Sequence, residues 1–363
     1  MAFNLTDKIG SVKVAELALR HGSVAAAWEE WPAKVARSGG EIDVRAEFAL
    51  AKRFGVEIVT PADAAYPPRL KEQASHPLAL YVKGDVSLLS SPSVAIVGTR
   101  RSTPYGLDQA FKLSRDLAAH GWTILSGLAL GIDAESHRGA LAAQGKTVGI
   151  IGSGLDKFYP EENRALAREI VEKGGAVVSE FPFGRPPDQQ TFPQRNHVVA
   201  ALARGVIAVE APLKSGTLIT TSLAVDMGRV VMAVPGRVDS RASGGCLALL
   251  RDGARLVRNA ADVEEELSEL IPSEKKPVVR RKRRPAPEEK VAAPAPSAPP
   301  PPPFSIEEAM IMREVDIEGV PMDVLIRRTG LPAEKVNALC MSLRLKGRIR
   351  FFPGNRVALP RDA

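Results

Sequence analysis

The stretch SVAIVGTRRSTPYG, Ser93–Gly106, decides the fold of this chain. Valine and isoleucine dominate its first five residues, as expected of a strand that is buried on both faces of a parallel sheet. The turn Gly98-Thr99-Arg100 follows at once, before a helical stretch. Strand, glycine-containing turn and helix in this order form the repeating unit of an open α/β sheet.

The same unit recurs through residues 93–270. Short apolar runs alternate there with helical stretches, which is typical of parallel strands joined by crossover helices. Further strands are predicted at Trp122–Ser126, Thr147–Ile151, Ala176–Ser179, Val206–Glu210 and Val230–Val234. The pattern predicts an α/β fold with an extended Rossmann-like, doubly wound, mostly parallel sheet, in a domain of residues 61–270.

Smaller segments flank this domain. Residues 1–60 predict a small helical domain of the SAM or helix-hairpin-helix type, in which Trp28 and Trp31 are expected to pack. Residues 271–303 predict a basic, proline-rich linker, because its proline run favours an extended spacer and cannot build a core. In residues 304–363, three helices and a hairpin predict a winged helix, whose first helix begins with a capping-box pattern at Ser305.

The positive charge of the chain lies in the linker. The formal net charge is +7, and the segment Lys275–Arg284 contains seven basic residues and no acid. The rest of the chain is therefore formally neutral. We expect nonspecific attraction to phosphate from the linker, whereas the overall charge says little about the folded domains.

Cysteine content and hydropathy exclude several classes of protein. Cys246 and Cys340 are the only cysteines and lie in unlike segments, so the sequence supports neither a disulfide framework nor a cysteine metal site. We expect no metal and no cofactor. No apolar run approaches the roughly 18 residues of a membrane span, and MAFNLTDKIG is not a secretory signal. The expectation is a cytoplasmic protein.

The residues with binding chemistry follow the strands. Four turns at the carboxyl edge of the predicted sheet are rich in glycine, serine and threonine: Gly98-Thr99-Arg100, Ser126–Gly131 (with Gly127), Gly152-Ser153-Gly154 and Ser215-Gly216-Thr217. Small residues let backbone N–H groups approach an anion, and Arg100 and Lys214 add positive charge. The turns therefore predict a phosphate-binding edge.

A long proline-rich connection, Phe181–His197, follows the fourth strand and is interpreted as a loop. Its end combines the aromatic ring of Phe192, the guanidinium of Arg195 and the amide of Asn196, as base stacking and phosphate pairing require. The alternative is that Phe192 belongs to the core and Arg195 forms an internal salt bridge. The sequence leaves both interpretations open.

Catalytic motifs are few. The sequence contains no Walker A lysine motif, no H-E-x-x-H, no C-x-x-C, no G-x-S-x-G and no G-x-G-x-x-G. Asp133 and His137 are four residues apart and would share a helix face, but a cap and a packed histidine are the more common interpretation. We predict no catalytic residue and no enzymatic activity.

Seven blocks of sequence resemble one family. VAIVGTRRSTPYG, ILSGLALGIDAESHRGAL, GKTVGIIGSGLDKFYPEEN, VVSEFPFG, FPQRN, VEAPLKSGTLITTSLAVDMGR and VPG occur in the order found in DNA-processing A proteins (DprA, also Smf). The match extends from about Tyr66 to Val257. The helical N-terminal part and the winged helix also suit this family.

The resemblance implies a protein that binds single-stranded DNA, forms a homodimer, and loads the RecA recombinase in natural transformation, or competence, and in recombination. By position, its DNA pocket would include Arg100, Ser126, Gly127, the Phe192–Asn196 segment and Lys214–Thr217; with the adjacent turn, the predicted site comprises Gly98, Thr99, Arg100, Ser126, Gly127, Phe192, Arg195, Asn196, Lys214, Ser215, Gly216 and Thr217. His197 stands where the family commonly has arginine, and Leu247 stands where we expect asparagine after the glycine pair.

Two other classes of function compete with this interpretation. One is a nucleotide phosphoribohydrolase of the related LOG type, but no acid follows the Lys214–Thr221 loop before Asp226, although Glu180 and Glu210 stand at strand ends. The other is a regulator that binds duplex DNA through its winged helix. That winged helix has few basic residues on its third helix, so a protein contact is at least as plausible there.

Overall fold

The computed structural model describes residues 1–6, 9–31, 42–268, 305–316, 319–352 and 355–359. The predicted linker and its basic run lie outside these residues. The chain divides into two compact units, Met1–Leu270 and Ile271–Ala363.

A nine-stranded sheet forms the centre of the first unit, in the order β1-β2-β6-β5-β4-β3-β7-β8-β9. Its strands are β1 Glu57–Val59, β2 Leu80–Gly84, β3 Ser93–Val97, β4 Thr123–Ser126, β5 Thr147–Ile151, β6 Ala176–Ser179, β7 Gly205–Ala208, β8 Val230–Ala233 and β9 Arg255–Leu256. The strands from β6 to β9 in this order are parallel, and β2 and β1 are added antiparallel at one edge. The strand order reverses at β3, because the chain runs through β4, β5 and β6 on one side and returns as β7 on the other.

Helices cover both faces of this sheet. They are α5 Pro68–Lys71, α6 Pro104–Ala119, α7 Ile132–Ala142, α8 Arg164–Glu172, α9 Thr191–Leu202, α10 Gly216–Asp226, α11 Gly244–Arg251 and α12 Ala260–Ser268. Leu113 and Leu117 of α6 pack with Val263 of α12 on one face, and Val198 and Leu202 of α9 pack on the other. The strands are buried on both faces, as their continuous apolar runs predict.

The N-terminal segment is helical, as predicted. Its helices are α1 Ala2–Leu5, α2 Ser11–His21, α3 Val24–Glu29 and α4 Val44–Phe54. The ring of Phe3 lies edge-on to both Trp28 and Trp31, at centroid distances of 5.1 and 6.1 Å, so both tryptophans pack in a local core. Strand β1 begins before residue 60 and joins the sheet.

The second unit has the winged-helix arrangement. It contains α13 Ile306–Glu314, β10 Val320–Pro321, α14 Met322–Thr329, α15 Ala333–Leu345, β11 Arg350–Phe352 and β12 Arg356–Ala358. The three strands form a small antiparallel sheet. The capping box predicted at Ser305 is present, with reciprocal hydrogen bonds between Ser305 and Glu308.

The fold class is the predicted one, an extended Rossmann-like sheet with a winged helix. The structure corrects one element: residues 191–197, predicted to belong to a loop, form the first turns of α9. The segment around Leu247, interpreted as a turn, is helical in α11. Among the described helices, none combines the length and apolar character that crossing a membrane requires.

Candidate functional site

An open cleft of about 1410 Å³ lies at the carboxyl ends of the parallel strands, where the strand order reverses. This is the position at which open α/β sheets bind ligands. Eleven of the twelve predicted site residues line it: Gly98, Thr99, Arg100, Gly127, Phe192, Arg195, Asn196, Lys214, Ser215, Gly216 and Thr217. The fold therefore brings four separate segments of the chain to one cleft.

Ser126 is the predicted residue that does not line the cleft. Its side chain is fully buried, and its hydroxyl donates a hydrogen bond of 2.6 Å to the carbonyl of Ile96. Ser126 thus joins β4 to β3 at the point where their turns diverge. Its position supports the turn that carries Gly127.

Close packing shapes the turns after β3 and β7. A Cβ at Gly98 would stand 2.4 Å from Ile132, so glycine is needed for α7 to approach this turn. The backbone N–H of Thr99 donates to the carbonyl of Glu210 at 2.7 Å, which joins the two turns. Ser215 accepts a hydrogen bond from the N–H of Thr217 and caps the start of α10. The positive end of that helix dipole therefore lies at the cleft.

Asp188 explains why α9 begins where it does. Its carboxylate accepts hydrogen bonds from the N–H groups of Gln190 and Thr191 at 2.8 and 2.9 Å. Pro193 then occupies the first turn of α9, where a proline is tolerated because no intrahelical N–H bond is needed there. This local capping turns the predicted loop into a rigid helix that presents Phe192 and Asn196 to the cleft.

Aromatic and cationic side chains form one wall of the cleft. The guanidinium of exposed Arg100 lies 5.0 Å from the ring centroid of Phe192. The ring of Tyr159, 47% exposed, lies 6.1 Å from Phe192 on the other side. The three side chains line a narrow pocket next to the cleft, together with Gly127, Gly152 and Arg195. The sequence analysis did not select Tyr159, although an exposed aromatic beside a glycine-rich turn was a usable signal.

Arg195 lies at the floor of the cleft rather than at its rim. Only 6% of it is exposed, and its Nη1 donates to the carbonyl of Ile150 at 2.8 Å. Buried Asp133 lies on the same floor and accepts a long 3.4 Å hydrogen bond from the N–H of Ala129. Burial raises the pKa of Asp133, and the positive charge of Arg195 opposes that rise. Arg195 thus combines the two alternatives, because it is internal and also lines the site.

His137 is a packed core histidine. It is fully buried, and its Nδ1 lies 2.6 Å from the hydroxyl oxygen of Thr147, which itself donates to the carbonyl of Ile124. The Nδ1–H therefore donates to Thr147. Burial lowers the pKa of His137 to about 3, which keeps the ring neutral. With Asp133 in the first turn of α7 and accepting from Ala129, the structural interpretation of the pair is confirmed.

His197 faces away from the cleft. Its Nε2 lies 2.9 Å from the hydroxyl of Ser75, and its side chain lines a second cavity on the other flank of α9. Burial, and secondarily the neighbouring His76, lower the pKa of His197 below its usual value. The ring is therefore neutral near pH 7.

The fold and the cleft define a class: a Rossmann-like protein with an anion-binding cleft at its topological switch point, followed by a winged helix. A family model described as DNA recombination-mediator protein A matches residues 57–268, and a model of the DprA winged helix domain matches residues 294–355. The chain belongs to this DprA/Smf family of DNA-processing proteins.

Individual proteins show the same similarity. The chain is 36% identical over 305 residues to Protein Smf of Escherichia coli, across 83% of this chain and 77% of that protein. The X-ray structure of DNA processing protein A from Streptococcus pneumoniae is 34% identical with a TM-score of 0.62, across 73% of this chain and 95% of that one. A structure concerning the single-stranded DNA binding mode of the Helicobacter pylori protein is 32% identical with a TM-score of 0.53, across 59% and 96%.

Proposed function

We propose that this protein binds single-stranded DNA in the cleft at the carboxyl edge of its sheet. One observation carries the proposal: the cleft places the exposed cations Arg100 and Lys214, the ring of Phe192 and the start of α10 around one space. Cations and a helix N-terminus bind phosphates, and an aromatic ring stacks on an unpaired base. The Helicobacter pylori relative, which is described as binding single-stranded DNA, supports the same ligand.

The pocket between Phe192 and Tyr159 favours unpaired bases over a duplex. In a duplex the base faces are stacked on one another and are not available to a side chain. Arg100 lies over Phe192 and also lines the main cleft, so one guanidinium can pair a phosphate while the neighbouring ring holds a base. The same arrangement tolerates any sequence, because every base has a stacking face.

The site suits binding rather than catalysis. Glu210, the acid nearest to a catalytic position in the LOG-type alternative, is 1% exposed and accepts hydrogen bonds from the N–H and hydroxyl of Thr103 at 2.9 and 2.6 Å. It therefore holds the start of α6. Glu180 lines the second cavity instead of the cleft. Release of free base from a nucleoside monophosphate would overturn the non-enzymatic proposal.

We further propose that the protein acts in the cytoplasm as a homodimer and transfers bound DNA to RecA in natural transformation and recombination. The match to the recombination-mediator family supports this role. A RecA strand-exchange assay on DNA coated with single-strand-binding protein tests it. Stimulation by wild type and none by the cleft variant Arg100→Ala is the expected outcome, and equal stimulation by both would contradict it.

The test of the site is fluorescence anisotropy with a labelled oligothymidine and its duplex counterpart, across a salt series. Arg100→Ala should weaken oligothymidine binding and reduce the slope of log affinity against log salt by about 0.7, the contribution of one phosphate contact on a single strand. Arg251→Ala is the matched control, because its side chain is 82% exposed and does not line the cleft. Equal binding by the two variants, or preference for duplex, would reject the proposed site.

A further inference from the structure

The outward face of α15 in the winged helix lacks basic side chains. Glu334, Ala338, Met341 and Leu345 follow one another at spacings of four, three and four residues, so they share one helix face. All four are exposed, and Met341 and Leu345 keep 50% and 85% of their accessible surface. We call this face the α15 stripe. The opposite side of the helix supplies the core through Val336, Cys340 and Leu343.

The cations of α15 and its C-terminal end are engaged elsewhere in the unit. Lys335 pairs with Glu307, and Lys346 lies 2.7 and 2.9 Å from the two carboxylate oxygens of Glu308. The guanidinium of Arg344 lies 5.4 Å from the ring centroid of Phe351, at the flank of the stripe. A helix that reads a duplex presents hydrogen-bonding and cationic side chains to base edges and phosphates. The α15 stripe instead has the composition of a protein contact.

We propose that the α15 stripe docks against the α15 stripe of a second copy of this chain, with the two helices antiparallel. The charges at its two ends favour this occupant, because Glu334 lies in the first turn and Arg344 in the last. A two-fold axis near Met341 brings each Glu334 towards the other copy's Arg344 and therefore forms the pair twice. The same axis places the large Leu345 side chain over the small Ala338.

This contact is weak when two free molecules meet. The stripe is much smaller than the roughly 800 Å² per partner of a standard stable interface. Weak contacts become effective when other interactions hold the copies close together. Binding of several copies to one DNA strand would do so. That extension rests on the proposed function, whereas the pairing itself does not.

Disulfide trapping in the full chain tests the pairing. Ala338→Cys and Leu345→Cys are prepared separately, mixed and oxidised; the native Cys246 and Cys340 are fully buried and do not compete. We expect the mixture to form severalfold more crosslinked dimer than either variant alone. Exposed Arg313 on α13 gives the control, a mixture of Arg313→Cys with Leu345→Cys. A yield no higher than in this control would overturn the proposal.

A charge exchange distinguishes a second copy from an unrelated partner. Glu334→Arg or Arg344→Glu, each added to both cysteine variants, should lower the yield, and the two together should restore it because the pair is re-formed with reversed sign. Failure of the double exchange to restore it would also overturn the proposal. A long oligothymidine should raise the yield further; if only this addition fails, the shared-strand arrangement is wrong and the pairing stands.

Discussion

Gly127 is a position in the cleft where the surrounding residues leave no room for a side chain. An ideal Cβ there would stand 1.7 Å from Nη1 of Arg195 and 2.6 Å from Oδ2 of Asp133. Arg195 is buried and bound to the carbonyl of Ile150, so it cannot move aside without losing that bond. Gly127→Ala should therefore lower the free energy of unfolding by about 1–3 kcal/mol in urea denaturation, as overpacking does.

Gly216 provides the matched control for this substitution. It is the first residue of α10, it also lines the cleft, and an added Cβ would meet nothing within 4 Å. Gly216→Ala should leave stability unchanged or raise it by up to about 1 kcal/mol, because alanine has the higher helix propensity. Equal destabilisation by both substitutions would show that the contact between Gly127 and Arg195 is not the cause.

Phe192 supplies the ring face in the proposed base pocket. Phe192→Leu keeps an apolar side chain at the start of α9 but removes the flat ring that faces Arg100 and Tyr159. We expect oligothymidine affinity to fall by about 1–3 kcal/mol, the range of one stacked base. Phe48→Leu, at a 48% exposed phenylalanine of α4, should leave affinity unchanged in the same titration. Similar losses for both variants would exclude stacking on Phe192.

Among the elements, α13 of the winged helix depends on a buried carboxylate. Glu308 is 4% exposed and accepts hydrogen bonds from Lys346, Ser305 and Ser342. Hydrogen bonds from these groups, first of all Lys346, lower the pKa of Glu308 to about 2. Because the folded-state pKa lies below the ordinary 4.5, this stabilisation is present above about pH 4.5 and is lost as the pH falls towards 2.

Glu308→Gln should therefore destabilise the winged helix at pH 7 and much less at pH 3. Hydrogen exchange of the amides in residues 319–352 of the full chain measures this. Glu307→Gln is the control, since it removes an exposed ion pair with Lys335 on the same helix and should change little at either pH. A destabilisation of Glu308→Gln that is equal at both pH values would contradict the assigned role of the carboxylate.

The elements also show how far the sequence alone predicts this fold and site. β3, β5 and β6 have the predicted bounds, because a buried parallel strand is a local apolar run that a sequence shows directly. The start of α9 was missed because its cap, Asp188, lies among prolines that favour a loop. The burial of Arg195 depends on Ile150 and Asp133, and Tyr159 reaches Phe192 only through the tertiary fold. Such partners, distant along the chain, leave no periodic signal in a sequence.

For the whole molecule, the distribution of charge separates two modes of DNA binding. The net charge of +7 equals the seven basic residues of Lys275–Arg284, so the rest of the chain has no net positive charge. Long-range attraction to phosphate would then come from the linker sequence, while selection of single strands would come from Arg100, Lys214 and Phe192 in the cleft. The two contributions differ in salt dependence and in preference for single strands, which makes them separable by experiment.

The prediction at this scale concerns a full-length variant in which all seven basic residues of Lys275–Arg284 are glutamine. Its formal net charge is zero. Duplex binding at low salt should largely disappear, and the salt dependence of oligothymidine binding should become shallower, because linker phosphate contacts are lost. The ratio of single-strand to duplex affinity should rise, since the cleft is unchanged. Arg100→Ala should change that ratio in the opposite direction. A linker variant that loses single-strand preference would place recognition in the linker and not in the cleft.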